Sequence, residues 1–174
     1  MRTKHFRNND VEVHTFWLDA NEDLTIKAPI GLDQQAFFEE NGSAYAYGVT
    51  ILLEGEMTIS ADVLPEITTL RPDHDLWIDG INTMSGNPHT FHAVSDVKFI
   101  CLSYIDHHLP AASAKVMLGD AGEVPLDTPG WTYVCAGALS IDGAEYPAGS
   151  ILKIENCGKT GRAVGDTVLA TVGL

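Results

Sequence analysis

The chain has 174 residues, 45% of them hydrophobic, enough to bury a core as one domain or as one domain with a small satellite. Its 24 acidic against 10 basic side chains give a formal net charge of −14, which opposes binding to nucleic-acid phosphates and to anionic membranes. The first ten residues carry no apolar leader and no run approaches the roughly 20 apolar residues of a membrane span, so a cytoplasmic protein is expected.

In chain order, Val11 to Leu18 alternates as a first strand, and Asp19-Ala20-Asn21-Glu22-Asp23 supplies a polar turn. Leu24 to Ala28 reads as a second strand ended by Pro29, and Leu32 to Asn41 as a helical turn or an extended loop. From Tyr45 the strand signals come close together. Tyr47 to Leu53 leads to a corner at Gly55, beyond which Met57 and Ile59 alternate with Thr58 and Ser60. Ile67 to Leu70, Leu76 to Ile78, His89 to Val94 and Val97 to Tyr104 add further short strands. Many short strands joined by turns predict an all-β sandwich, jelly roll or barrel.

The segment Ala111 to Lys115 reads as a helical turn or linker, and beyond it the pattern repeats. Trp131 to Ile141 matches Val49 to Ile59 in outline, with Gly137 standing where Gly55 stands and Leu139 and Ile141 where Met57 and Ile59 stand. Ala163 to Leu169 echoes Ala93 to Phe99, and Asp142-Gly143 is a hairpin signal. The expected organisation is therefore a barrel over residues 1–110 and a smaller, truncated copy over 111–174. Cys101, Cys135 and Cys157 are widely spaced and lack a Cys-x-x-Cys pair, so neither a disulfide framework nor a zinc knuckle is indicated. Cys101, within an apolar strand, reads as a small buried hydrophobe.

Two stretches carry a resemblance. Leu52-Leu53-Glu54-Gly55-Glu56-Met57 is similar to the strand-and-glycine end of the first cupin motif, and Gly86-Asn87-Pro88-His89 matches the Gly-x-x-His of the second. The chain thus resembles the RmlC-like cupin superfamily, which implies a jelly-roll barrel with a shorter, half-cupin-like second unit, and a homodimer. The motif's metal ligands are mostly missing. No histidine or carboxylate occurs from Gly42 to Leu53, Met84 replaces the proline of the second motif and Ala93 its asparagine. Of the four ligands the resemblance implies, only His89 remains, and one imidazole does not hold a divalent ion. No metal or other cofactor is therefore expected; a divalent metal, if bound, would require His89 with a non-standard partner such as His74.

The candidate site residues follow from that geometry. His89 is expected to face the barrel interior with Phe91, whereas His92, at odd spacing, falls on the opposite face. Tyr45 and Tyr47, two apart, are candidate hydrogen-bonding groups, so His89, Phe91, Tyr47 and Met57 are expected to line a pocket for a small polar molecule. In the copy, Lys159 takes the place of His89, which marks that half as structural. The leading expectation is a metal-free ligand-binding or structural barrel. One alternative is an enzyme: a metal-dependent dioxygenase or isomerase, or a metal-free sugar isomerase or epimerase with His89 as general base and Tyr45 or Tyr47 as acid. Another is a virion-type jelly-roll assembly protein associating through strand edges.

Overall fold

Alternating apolar and polar residues separated by glycine and aspartate turns leave each strand one face to bury, and two such sheets stacked face to face are the simplest solution. The computed structural model describes residues 1–7, 11–27, 45–61, 66–73, 77–81, 88–106, 112–155 and 158–173. Among the described residues all regular structure is β, and the chain divides into two compact units, Met1–His108 and Leu109–Leu174. No helix among them is long and apolar enough to cross a membrane. The segment Leu32 to Asn41 lies outside the described residues.

Among the described residues the first unit holds nine strands: β1 (Arg2–Arg7), β2 (Val11–Leu18), β3 (Asp23–Lys27), β4 (Tyr45–Glu54), β5 (Met57–Ala61), β6 (Thr68–Leu70), β7 (Trp77–Ile81), β8 (Pro88–Ala93) and β9 (Val97–Asp106). They form a five-stranded sheet in the order β1-β2-β9-β4-β7 and a four-stranded sheet in the order β3-β8-β5-β6, with antiparallel pairing throughout. Phe16, Leu18, Leu52, Val97 and Phe99 of the first sheet pack on Met57, Ile59, Leu70, Phe91 and Ala93 of the second. Each such large side chain removed from water contributes about 1.5–3 kcal/mol. The opposite face of the first sheet is also buried, through Val13, Val49, Ile51, Ile100 and Leu102. The strand β1, Arg-Thr-Lys-His-Phe-Arg, has no counterpart among the sequence expectations, because an edge strand rich in charge has no apolar alternation to announce it.

The second unit holds β10 (Ala112–Leu118), β11 (Glu123–Leu126), β12 (Gly130–Ile141), β13 (Ala144–Pro147), β14 (Ile151–Ile154) and β15 (Lys159–Gly173). Instead of a helical turn or linker, the alanine-rich segment forms β10, which pairs antiparallel with β15 and turns Val116 and Leu118 to the core of Val124, Leu126, Val134, Leu139, Ile154 and Leu169. Cross-strand pairing overrides the helical preference of alanine here. Asp142 and Gly143 adopt positive φ angles of 51° and 82°, as a tight hairpin requires.

The two units share one pairing scheme. Met57 opposes Ala93 as Leu139 opposes Ala163, Thr50 opposes Trp77 as Thr132 opposes Leu152, and Ile26 opposes His89 as Leu126 opposes Lys159. The long strands β12 and β15 each do the work of two strands of the first unit. The turns agree as well. Asn21 (φ 67°) donates its N–H to the Ala93 carbonyl at 2.8 Å, and Ala121 (φ 60°) donates to the Ala163 carbonyl at 3.1 Å. In the second unit residues 127–129 join β11 to β12.

Candidate functional site

The interior of the first unit is built in cross-strand rows, because paired residues on adjacent strands point to the same face. On the five-stranded sheet Phe16, Phe99 and Leu52 form one row, and on the four-stranded sheet Leu24, Phe91 and Ile59 form another. These rows meet. The ring centroids of Phe91 and Phe99 are 5.3 Å apart, and those of Phe16 and Phe99 are 5.1 Å apart.

Two residues further along both sheets, away from the turn 94–96, the chemistry changes. The next row of the first sheet is His14, Cys101 and Thr50, and that of the second is Ile26, His89 and Ala61. An apolar, aromatic floor is thus followed by a layer holding two imidazoles, a thiol and a hydroxyl. The His14 ring stacks on Phe16, with centroids 5.8 Å apart and planes 11° from parallel. Thr50 Oγ1 lies 3.5 Å from Cys101 Sγ in a buried contact. His89 is 5% exposed and its Nδ1 is buried; among the residues whose side chains are described it is the only buried imidazole.

The sequence-predicted site residues fall into three groups. His89 and Phe91 do share the inner face of β8, with Thr90 and His92 turned outward, and His92 Nδ1 is 2.7 Å from Asp23 Oδ1. Phe91 and Met57 are fully packed in the core beneath the polar row. Tyr45 and Tyr47 stand at the start of β4, at the same end of the unit as His89, with Tyr47 opposite Tyr104 and Gly80; their side chains lie outside the described part. His74 lies outside the described residues. In the sequence neither His14 nor Thr50 stands out, and Cys101 reads as a small buried hydrophobe. Even spacing from Phe16, Leu52 and Phe99 was the signal for all three, and it becomes usable only once the strand register is known.

A cavity of about 430 Å³ lies at the other end of the unit, lined by Arg2, Trp17, Leu18, Asp19, Glu54 and Asp96 among others. Ala93, at that end, is four steps along β8 from His89, about 13 Å of strand. Of the sequence-predicted site residues whose side chains are described, none lines it. The Arg2 guanidinium carbon sits 4.5 Å from the Trp17 ring centroid and Asp96 Oδ1 accepts the Ala20 N–H at 2.9 Å, so much of this wall is engaged in holding the turns.

In the second unit the corresponding rows read Ala114, Thr171 and Thr132 on one side and Leu126 and Lys159 on the other. No imidazole or thiol occurs among them. Lys159 Nζ is 2.7 Å from Asp142 Oδ2 at the surface.

No protein-family pattern and no curated relative matches the sequence. Solved structures do. YhaK from Escherichia coli matches with a TM-score of 0.66 at 9% identity, over 99% of this chain and 93% of that one. The cupin 2 conserved barrel domain protein from Leptotrichia buccalis matches with a TM-score of 0.56 at 11% identity, over 99% and 88%. The chain has the cupin fold. A third match is the bacterial pirin YhhW of Escherichia coli in complex with nickel(II), with a TM-score of 0.58 at 8% identity, over 99% and 95%.

The cupin fold invites a test for a metal centre. His89 is flanked across the strands by Ile26 and Ala61, which offer no donor. Among the described residues no group of three or more His, Cys, Asp or Glu side chains is arranged to hold a metal ion. The described part of the cupin interior therefore does not fit a divalent ion, which needs three or four protein ligands.

Proposed function

We propose that this cupin-fold chain is a small-ligand-binding protein that works without a metal ion, with the binding site in the first unit and a structural copy of the barrel in the second. The observation that carries this reading is the row of polar groups, His14, Cys101 and Thr50 with His89 on the facing sheet, set above an aromatic floor. Thr50, Cys101 and His89 are buried and His14 is half-buried, so this layer brings four groups able to hydrogen-bond into one part of an otherwise apolar interior. Sites of this make-up, apolar walls with a few convergent polar groups, are where small ligands bind in barrel mouths. The equivalent layer of the second unit has Ala114, Thr171, Thr132 and Lys159, which supports a structural role for that copy.

The test is native mass spectrometry with elemental analysis on untagged protein, in parallel for wild type and His89→Gln. The expected result is a small-molecule adduct on the wild type, its loss in the variant at an unchanged melting temperature, and no stoichiometric transition metal. One metal ion per chain would overturn the metal-free reading, and a variant that only melts earlier would make His89 a structural core residue.

A further inference from the structure

Resting on the reading just given, we infer that the ligand of this interior layer presents a carboxylate or a comparable acceptor-rich anion to His89 and His14. The reason is the sign of the chemistry the interior admits. The side chains of the polar layer are imidazole, thiol and hydroxyl, all able to donate a proton in a hydrogen bond. Every inward residue in the two described rows and the layer beneath is otherwise apolar: Phe16, Leu52 and Phe99 on one sheet, Leu24, Ile26, Ile59, Ala61 and Phe91 on the other.

Carboxylates are the commonest ionisable group in this chain, 24 in all, yet none of those described is buried. Asp19, Asp23, Glu54 and Asp96 are exposed, and Glu22 and Glu56 are half-buried and engaged, Glu22 with the Asp19 N–H and Glu56 with Arg71. A cationic ligand would find no counter-charge among these described groups. An anion meets hydrogen-bond donors, and a hydrogen bond in which one partner is ionised is about twice as strong as a neutral one. The phenyl rings of Phe16, Phe91 and Phe99 lie in the next row, so the apolar body of such a ligand, alkyl or aryl, would have apolar neighbours.

The experiment compares three probes that share one ring: benzoate, benzamide and benzylamine. Each is titrated into the full chain at fixed pH while the imidazole resonances of His89 and His14 are followed by NMR. Saturable shifts of both rings with benzoate, weakened tenfold or more in His89→Gln, and at least tenfold weaker shifts with benzylamine, are expected. If benzamide or benzylamine shifts the two rings as strongly as benzoate, the anion assignment falls while interior binding stands. If no probe moves either ring, both readings fall, whether or not His92 and Asp23 on the outer face respond.

Discussion

A methyl carbon placed on Gly55 would lie 2.2 Å from the carbonyl oxygen of Asp96, and the same carbon on Gly137 would lie 2.4 Å from that of Asp166. Both glycines have positive φ, 82° and 70°, so the backbone conformation and the close approach each exclude a side chain. The corner strand and the turn before the closing strand are thus pressed together in the same way in both units.

Gly55→Ala and Gly137→Ala should each destabilise the protein by about 3 kcal/mol or more, combining the left-handed conformation, about 1–2 kcal/mol, with a backbone overlap of about 1–3 kcal/mol. Gly143→Ala and Gly149→Ala provide the control. Both have positive φ but nothing within 4 Å of the added carbon, so they should cost about 1 kcal/mol. Urea unfolding of the four variants checks the ranking; equal losses at all four positions would make the close approach irrelevant.

Gly55 and Gly137 also show how far the sequence could be read. Their equivalence, and that of Leu139 with Met57, was visible because glycine and the alternating apolar residues on either side survive in both copies. The equivalence of the turns at Asn21 and Ala121 was not visible, because their common feature is a positive φ and a backbone hydrogen bond, which Asn and Ala reach with different side chains. The polar layer was half legible. His89 stood out beside its motif glycine, but His14 and Thr50 are ordinary strand residues until register sets both opposite Cys101.

Burial pushes the Cys135 thiol up from 9.0 to about 12, partly offset by Lys115 and the Ala170 backbone. A raised value in the folded state means that the thiol's contribution to stability is fully present below pH 9 and is lost as pH rises toward 12. Cys135→Ala should therefore flatten the fall in melting temperature between pH 9 and pH 11. At pH 8 the folded thiol should react with iodoacetamide about a thousandfold more slowly than an exposed cysteine, since thiolate is the nucleophile. Rapid modification of Cys135 in the folded chain, read by peptide mass spectrometry, would contradict the burial.

The turn Asp19 to Asp23 should respond at the acid end. Glu22 Oε2 accepts the Asp19 N–H at 2.9 Å, and this hydrogen bond, ahead of the N-terminal ammonium at 3.0 Å from Oε1, lowers the carboxyl below 4.5. A lowered folded value stabilises above the ordinary one and is lost as pH falls through the folded value. Because the group is half in solvent, the effect is small and screened by salt. Comparing Glu22→Gln with wild type, the difference in melting temperature should be largest near pH 6 and shrink below pH 4; a difference independent of pH would mean that the carboxylate charge is not involved.

Thr50→Val separates stability from binding in the polar layer. Thr50 is 3% exposed, and its described side-chain partner is the Cys101 sulfur at 3.5 Å, a weak acceptor at long range. Valine matches threonine in shape, so exchanging the hydroxyl for a methyl loses little hydrogen bonding and gains apolar burial, for a net change within about 1 kcal/mol. If the hydroxyl serves a ligand held beside His89, binding should fall five- to tenfold while the urea midpoint stays put. A loss of stability of about 2 kcal/mol or more with binding intact would instead make Thr50 a structural member of the cross-strand row, and His89 and His14 would be left to hold the ligand between them.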